Sequence, residues 1–229
     1  MQIVILCGGL ATRLYPVTQK IPKSMIEIYG KPFLEYQIEL LKKNGISDLV
    51  LCVGKFSEQI EQYFGNGEKF GVKIQYSRDG ADLAGTGGAL KKAEGLLENE
   101  FLVMYGDSYL PFDFQQAVAF FKEKRKQGLM TVLHNANKYE PSNVEVEGDL
   151  IKVYSKKEKT SQMEYIDYGL SIFKKEALRF LPAEEARDLS VLHLGLIADK
   201  QLLAFPVDQR YYQVGSFDGI EEFKAYIKK

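Results

Sequence analysis

The sequence predicts an α/β fold, in which a mixed but mostly parallel sheet carries helices on both faces and a small antiparallel addition. Short apolar runs alternate with amphipathic segments throughout the first half of the chain. After about residue 110, this alternation gives way to paired short strands that flank the turn sequence EGD at residues 147–149. Repeated strand–helix units favour right-handed crossovers, which place helices on both faces of a parallel sheet.

The first half of the chain accounts for the parallel part of the sheet. Residues 2–6 form a largely apolar run that predicts a buried strand, and the amphipathic segment 34–44 predicts a helix that ends at Gly45. The further elements expected here are strands at 49–53, 72–76 and 101–105 and helices at 57–64 and 88–97.

The second half accounts for the antiparallel addition. The EGD turn joins the expected strands 143–146 and 150–154 into a hairpin. The further elements expected here are helical segments at 114–126, 178–181, 189–198 and 217–227 and strands at 129–134, 202–207 and 211–214. No linker, repeat or low-complexity tract separates the two halves, so we expect one domain that spans residues 1–229.

The composition argues against binding to nucleic acids or membranes. The chain has 30 Lys and Arg against 31 Asp and Glu, a net charge of −1, without the basic surplus that such binding usually needs. No apolar stretch is as long as a membrane span, and no basic segment precedes the first apolar run, so we expect a cytoplasmic protein. Cys7 and Cys52 lie in apolar runs and are expected to be buried, inert thiols.

The turn after the first strand predicts a polyphosphate site. Gly8 and Gly9 follow the strand directly, and small residues at a strand end expose backbone N–H groups that line up on an anion. Arg13 and Lys23 come shortly afterwards and add charge that backbone dipoles alone do not supply. The segment has neither the Gly-Lys-Ser/Thr of a P-loop nor the three spaced glycines of dinucleotide-binding proteins.

Two further strand ends carry candidate ligand groups. The sequence GTGG at residues 85–88 opens an expected helix, although glycines there also serve turn geometry alone. Asp107 ends the strand expected at 101–105, where a carboxylate must be solvated, paired or bound to a cation. Ligands of open parallel sheets bind beyond the carboxyl ends of the strands, so we expect the three strand ends to form one site with Mg²⁺ at Asp107.

The motifs at these strand ends resemble those of the sugar-1-phosphate nucleotidyltransferases. Segments 8–14 (GGLATRL) and 22–25 (PKSM) are similar to the signature of that family. Segment 85–90 (GTGGAL) resembles its nucleobase-side loop, and Gly106-Asp107 resembles its metal-binding strand end. The order and spacing of the motifs match over almost the whole chain. The length resembles that of short members such as the heptose-phosphate guanylyltransferases and the muramate-phosphate uridylyltransferases.

The resemblance implies a Rossmann-like fold of the nucleotide-diphospho-sugar transferase type. It also implies an enzyme that condenses a nucleoside triphosphate with a sugar 1-phosphate to an NDP-sugar and pyrophosphate, for cell-surface polysaccharide or glycoconjugate synthesis. Residues 1–110 would bind the nucleotide and residues 111–229 the sugar phosphate. We favour GTP with a heptose- or mannose-type 1-phosphate, because the GTGG loop resembles that of guanylyl- and uridylyltransferases. Asp79, just upstream, would accept a hydrogen bond from a guanine or cytosine amine.

The resemblance further implies a role for each matching residue. Arg13 and Lys23 are the expected catalytic cations, and Mg²⁺ is expected on Asp107 with Gln213 as a candidate second ligand. The expected nucleotide-binding residues are Cys7, Gly8, Gly9, Leu10, Ala11, Thr12, Asp79, Gly85, Thr86 and Gly87. The expected sugar-phosphate-binding residues are Lys156, Asp167, Tyr168 and Gly169.

Departures from the family pattern keep alternatives open. Ala11 stands where the family usually has glycine, and Gln213 stands where an aspartate usually serves as the second metal ligand. A neutral amide predicts weaker metal binding or a ligand elsewhere, for which Asp208 and Asp218 are the nearest candidates. The alternatives are a cytidylyl- or uridylyltransferase acting on another phosphorylated sugar or alcohol, and a non-catalytic nucleotide-sensing homologue. A monomer and a homodimer are both compatible with the sequence.

Overall fold

The computed structural model describes residues 1–9, 14–79, 84–182 and 187–228 of the chain. The strands are β1 Gln2–Leu6, β2 Glu27–Ile28, β3 Lys31–Pro32, β4 Asp48–Val53, β5 Lys73–Arg78, β6 Glu100–Tyr105, β7 Ser108–Tyr109, β8 Gly128–His134, β9 Val144–Glu147, β10 Leu150–Tyr154, β11 Tyr165–Lys174, β12 Leu202–Val207 and β13 Tyr212–Gln213. The α-helices are α1 Phe33–Lys43, α2 Ser57–Phe64, α3 Gly85–Lys92, α4 Phe114–Lys124, α5 Ser190–Ala198 and α6 Phe217–Ile227.

Strand β1 lies inside the central sheet, where it pairs in parallel with β4 on one side and β6 on the other. All of its residues are buried, as its apolar sequence predicts. Successive side chains of a strand point to opposite faces of the sheet, so Ile3 and Ile5 enter one core while Val4 and Leu6 enter the other.

The central sheet is mixed but mostly parallel, as expected. Its strand order is β5-β4-β1-β6-β11-β8-β12-β10-β9. Within the described ranges, the pairings give seven of these nine strands one direction, and β10 and β11 run antiparallel to them. The expected hairpin is confirmed as β9 and β10, which pair in an antiparallel register around Gly148.

Helices cover both faces of this sheet, which confirms the second part of the expectation. Helices α1, α4 and α6 contribute Phe33, Phe114 and Phe223 to the core on one face. Helices α3 and α5 contribute Leu90 and Leu192 to the core on the other face. The apolar stripe of each helix thus packs against an apolar face of the sheet, and the burial of both surfaces stabilises the layered structure.

Strand β11 is the main element that the sequence analysis missed. It has ten residues and lies between β6 and β8, antiparallel to both. Asp167 and Gly169 interrupt its apolar pattern, and Gly169 has a φ of +105°. The pairing with β8 shifts register between Asp167 and Ser171, so the strand carries a bulge. This irregularity interrupts the regular alternation of inward- and outward-facing residues from which a strand is predicted.

Some predicted boundaries also differ from the structure. Helix α3 begins at Gly85 rather than residue 88, and a 3-10 turn at Ala93–Leu96 follows it. The predicted helix at 178–181 is part of a 3-10 helix at Lys175–Phe180. Such shifts are common because helix ends leave backbone groups unpaired and tighten into 3-10 geometry.

A small second sheet places the C-terminal part of the chain beside the end of β6. Strand β13 pairs with β7 in an antiparallel register that sets Gln213 opposite Ser108. The Val214 N–H also donates to the Asp107 carbonyl oxygen at 2.9 Å. Helix α6 follows immediately, with Ser216 capping its N-terminus.

In the described ranges, no helix has the length and apolar character needed to cross a bilayer.

We expect Phe223→Ala to lower the free energy of unfolding by about 3–5 kcal/mol, because it removes a fully buried aromatic ring. The ring centroid of Phe223 lies 5.0 Å from that of Phe33, 5.5 Å from Tyr36 and 5.0 Å from Tyr109. Phe217→Ala on the same helix removes a ring that is 52% exposed and should cost less than about 0.5 kcal/mol. Urea unfolding of both variants measures the difference, and equal losses would contradict this account of the core.

Candidate active site

The carboxyl ends of β1, β5 and β6 border a cleft of about 270 Å³. The structure brings eight of the residues predicted from sequence to its lining. They are Cys7, Gly8, Gly9, Lys23, Asp79, Gly85, Thr86 and Asp107. Leu10, Ala11, Thr12 and Arg13 lie outside the described residues. The three strand ends that carry candidate ligand groups therefore form one site.

Lys23 and Asp107 form an ion pair inside the cleft. Lys23 Nζ lies 2.6 Å from Asp107 Oδ2, and the two side chains are 19% and 28% exposed. Lys23 comes from the 3-10 turn Lys23–Met25, whereas Asp107 follows β6. A partly buried pair of this kind is screened less by solvent and salt than a surface pair.

Two glycines, Gly8 after β1 and Gly106 after β6, lie where neighbouring strand ends come close together. A Cβ atom on Gly8 would lie 2.6 Å from Asp79 Oδ2, and one on Gly106 would lie 2.8 Å from the Leu6 carbonyl oxygen. The Cys7 N–H donates to the Cys52 carbonyl oxygen at 2.8 Å, which ties the turn to the end of β4. A side chain at Gly106 would thus clash with backbone, and one at Gly8 would displace the Asp79 carboxylate.

Asp79 is a buried acid at the rim of the glycine turn. It is 4% exposed, and within the described ranges its Oδ1 has no hydrogen-bond partner. Burial raises the pKa of this carboxyl, and the Lys92 ammonium opposes that shift. Lys92 Nζ donates to the backbone carbonyl oxygen of Asp79 rather than to the carboxylate. Oδ1 thus keeps an acceptor capacity that no described residue uses.

Gly87 does not line the cleft. Its N–H donates to the Arg187 carbonyl oxygen at 2.8 Å, and a Cβ atom there would lie 2.9 Å from the Asp188 carbonyl oxygen. Gly85, at φ +67°, faces the same segment, with its Cβ position 2.6 Å from the Arg187 carbonyl oxygen. The GTGG glycines therefore allow close packing of α3 against residues 187–188, and the predicted nucleotide contact of Gly87 stays a prediction.

Lys156 reaches this region through an ion pair with Asp188. Lys156 Nζ lies 2.9 and 3.0 Å from the two carboxylate oxygens of Asp188. Asp188 also accepts from the Ser190 N–H at 2.8 Å and from Thr86 Oγ1 at 3.4 Å. Burial raises the pKa of Asp188, but the hydrogen bonds from Ser190 and Lys156 outweigh it and lower the pKa to about 2. This network connects Lys156 with the cleft residue Thr86.

The three predicted sugar-site residues on β11 have different surroundings. Asp167 accepts from the Tyr154 hydroxyl at 3.2 Å and from the Gly169 N–H at 3.0 Å, and burial raises the pKa of its carboxyl. The Tyr168 ring is 1% exposed and packs against Phe112 in the core. None of the three belongs to the described lining of the cleft, so their predicted role with the sugar phosphate stays a prediction.

Tyr105 is a cleft residue that the sequence analysis did not single out. It is the last residue of β6 and belongs to the lining of the cleft. Its hydroxyl is buried without a hydrogen-bond partner in the described part of the chain. Burial raises the pKa of this hydroxyl, and the negative charge of Asp167 adds to the effect. The only sequence signal was its position directly before Gly106-Asp107.

Gln213 lies beside the Lys23–Asp107 pair. Gln213 Oε1, Asp107 Oδ2 and Lys23 Nζ lie 3.2, 3.6 and 3.8 Å from the position that a Cβ atom would take on Gly215. A carboxylate and an amide oxygen are hard ligands, and they fit Mg²⁺, which commonly binds one or two carboxylates and fills its other positions with phosphate and water oxygens. The described residues contain no group of three or more His, Cys, Asp or Glu able to hold a metal.

The fold and the cleft are typical of α/β proteins that bind ligands at the strand ends of a mostly parallel sheet. The chain belongs to the nucleotidyl transferase family, whose sequence model matches residues 2–229.

Individual relatives agree with this family. The chain is 33% identical to a UTP–glucose-1-phosphate uridylyltransferase from Synechocystis over 82% of its own length and 53% of that protein. It is 36% identical to a D-glycero-alpha-D-manno-heptose 1-phosphate guanylyltransferase from Campylobacter jejuni over 78% of its own length and 72% of that protein. The chain thus spans only about half the length of the first of these relatives.

A solved structure supports the fold. The UDP-glucose pyrophosphorylase from Acinetobacter baumannii superposes with a TM-score of 0.83, at 17% sequence identity, over 98% of this chain and 92% of that one. At this identity the similarity shows the fold alone, and it confirms the expected nucleotide-diphospho-sugar transferase type.

A buried histidine, His193, interacts electrostatically with Lys156 and Asp188 and makes the stability of the protein sensitive to pH. His193 is fully buried on α5, with Nε2 3.0 Å from Ser171 Oγ and with Nδ1 unpartnered among the described atoms. Burial lowers its pKa to about 3, and the positive charge of Lys156 acts in the same direction. The folded state therefore holds His193 in its neutral form.

We expect stability to fall as the pH drops below the unfolded-state pKa of about 6.5, because the unfolded chain then binds a proton at His193 that the folded chain rejects. Between pH 7 and pH 5 this single group should cost about 2 kcal/mol of unfolding free energy. Urea unfolding at both pH values should show this loss in the unaltered protein and in His134→Gln, whose imidazole is exposed. His193→Gln should lack it, and an equal loss in that variant would contradict the assignment.

Proposed function

We propose that this protein condenses a nucleoside triphosphate with a sugar 1-phosphate, releasing pyrophosphate and an NDP-sugar. The observation that carries the proposal is the contact of Lys23 with Asp107 beside the glycine turn of β1. The cleft thus combines a glycine turn with the Lys23 cation and the Asp107 carboxylate, and Asp79 is a second acid in its lining. Membership of the nucleotidyl transferase family supports the same reaction.

In the proposed reaction, a phosphate oxygen of the sugar phosphate attacks the α-phosphorus of the nucleotide, and the bond to the β-phosphate breaks. The attacking oxygen is already anionic, so the residues need not remove a proton from it. Catalysis then depends on holding two anions in line and offsetting their repulsion. Backbone N–H groups of Gly8 and Gly9 would bind nucleotide phosphates, and Lys23 would neutralise the incoming phosphate. Arg13 is proposed to add a second cation.

Asp107 and Gln213 are the residues proposed to hold Mg²⁺. Their oxygen atoms suit this cation, and enzymes of this family generally use a divalent metal. When bound, the metal supplies further neutralisation of phosphate charge. The ion pair with Lys23 keeps the Asp107 carboxylate at the cleft side of the strand end.

For the nucleotide, GTP fits Asp79 best. A buried carboxylate that only accepts hydrogen bonds matches the adjacent N1–H and N2–H donors of guanine, whereas uracil offers a single N3–H. The similarity to a guanylyltransferase from Campylobacter jejuni supports this choice. We propose a heptose- or mannose-type 1-phosphate as the acceptor, with residues 1–110 binding the nucleotide and residues 111–229 the acceptor. Lys156 and the β11 residues 167–169 remain the proposed acceptor contacts.

UTP is the second candidate, because the similar Synechocystis protein is named a uridylyltransferase. A matrix of five nucleoside triphosphates against sugar and alditol phosphates, read by pyrophosphate release, separates the candidates. Turnover with any acceptor also rejects the nucleotide-sensing alternative. Nucleotide binding without turnover over the whole panel would reject the transferase.

We expect Lys23→Ala to lower kcat/KM by about tenfold to 150-fold, the effect of losing one charge-assisted hydrogen bond of roughly 1.5–3 kcal/mol. Asp107→Ala should also lower turnover and raise the Mg²⁺ concentration needed for it. Lys20→Ala removes an exposed cation from the same segment and serves as the matched control. Near-normal pyrophosphate release by both Lys23→Ala and Asp107→Ala would contradict the proposed roles of these two residues.

We expect Asp79→Asn to weaken the preference for GTP over UTP by roughly tenfold to a hundredfold, because an amide N–H₂ replaces one of the two acceptors that guanine needs. Asp149→Asn, at the exposed turn between β9 and β10, removes a similar charge away from the cleft. The readout is the ratio of kcat/KM for GTP and UTP. An unchanged ratio in Asp79→Asn would rule out Asp79 as the base-selecting residue.

A further inference from the structure

Glu140 lies beside the candidate metal site but belongs to none of the predicted motifs. Its Oε1 accepts from Gln213 Nε2 at 2.9 Å and from the Tyr211 hydroxyl at 3.1 Å. Burial raises the pKa of Tyr211, and the Glu140 carboxylate adds to that shift, so this hydroxyl stays a donor at neutral pH. One carboxylate oxygen thus holds two side chains of the segment that leads into β13.

The loop that carries Glu140 is internally braced. Asn135 Nδ2 donates to the Glu140 carbonyl oxygen at 2.6 Å and to Ser142 Oγ at 3.1 Å. The Tyr139 N–H donates to Asn135 Oδ1 at 3.1 Å, and the Ser142 N–H donates to Asn137 Oδ1 at 2.8 Å. These bonds fix the backbone on both sides of Glu140. A residue held in this way can determine the orientation of its partner.

The chemistry of the Gln213 amide makes this orientation matter. An amide has a donor end and an acceptor end, and a carboxylate only accepts, so Glu140 requires the N–H₂ end. The oxygen end then faces the Gly215 position, toward which Asp107 Oδ2 and Lys23 Nζ also converge. An amide turned the other way would present N–H₂ to a cation.

We propose that Glu140 is a positioning residue, which fixes the Gln213 amide so that its oxygen serves as a ligand for the divalent cation beside Asp107. The inference rests on the proposed function, because it assumes a cation at Asp107. An aspartate can bind a cation through either of its two equivalent oxygens, so it needs no orientation. An amide has a single oxygen, and Glu140 explains how that oxygen is directed toward the cation. Outer partners of this kind tune both the orientation and the affinity of a metal ligand.

The test measures Mn²⁺ affinity of the full chain by the electron paramagnetic resonance signal of free Mn²⁺, with no substrate present. Glu140→Ala should weaken Mn²⁺ binding by roughly tenfold. Glu140→Gln retains an acceptor oxygen without charge, and its affinity should stay within about twofold of that of the unaltered chain. Glu147→Ala, which removes an exposed glutamate from β9, controls for the change in net charge.

A rescue separates positioning from a structural role. Gln213→Glu has the same shape but two equivalent oxygens, so the double variant Glu140→Ala/Gln213→Glu needs no orientation and should bind Mn²⁺ at least as tightly as the unaltered chain. A double variant as weak as Glu140→Ala would show that the loop is merely distorted, and this would overturn the proposal. If Glu140→Gln and Glu140→Ala weaken Mn²⁺ binding equally, the negative charge of Glu140 is responsible, and the positioning role is overturned.

Pyrophosphate release by the unaltered chain is measured in parallel. Turnover together with an unchanged Mn²⁺ affinity in Glu140→Ala overturns the positioning role alone. Absence of turnover over the whole substrate panel overturns the proposed function, whatever the metal affinities are.

Discussion

The parallel pairing of β1 with β4 and β6 is the constraint on which the rest of the site depends. Parallel neighbours end at the same edge of a sheet, so three chain turns must share one small region. They fit because Gly8 and Gly106 have no side chains where a Cβ atom would strike Asp79 and the Leu6 carbonyl oxygen. The close approach of the strand ends and the proposed phosphate-binding turn thus depend on the same glycines.

Charge in the cleft is arranged locally, although the chain as a whole is nearly neutral. Lys23 and Asp107 are paired at 2.6 Å, whereas Asp79 is buried with one unpartnered oxygen in the described structure. These two acids have different environments: one is stabilised by a cation, and the other carries a pKa raised by burial. In the proposed reaction they also have different tasks. Asp107 helps to balance charge at the phosphates, and Asp79 recognises the base.

Much of the fold followed from local patterns. The strands β1, β4, β6, β8 and β12 and the helices α1 and α6 were expected within one or two residues of their observed bounds, because their apolar periodicity is strong. Strand β11 was missed, because Asp167 and Gly169 break its alternation at the bulge. The sequence predicted three parts of the site: the glycine turn, Lys23 and Asp107. Turn residues and charged residues at strand ends can be recognised directly in the sequence. Tyr105 and Glu140 were not, since an aromatic residue that ends a strand and a glutamate in a loop have no distinctive pattern.

The sequence by itself determined which segments become strands and helices and which residue types stand at the strand ends, because both depend on near neighbours in the chain. The tertiary structure decided which of these residues meet. Lys23 reaches Asp107 across 84 positions, and Gln213 reaches Glu140 across 73. Both contacts depend on strand order and on the small sheet of β7 and β13. That order is selected by the fit of whole layers and by loop connections, and no local window of sequence contains this information.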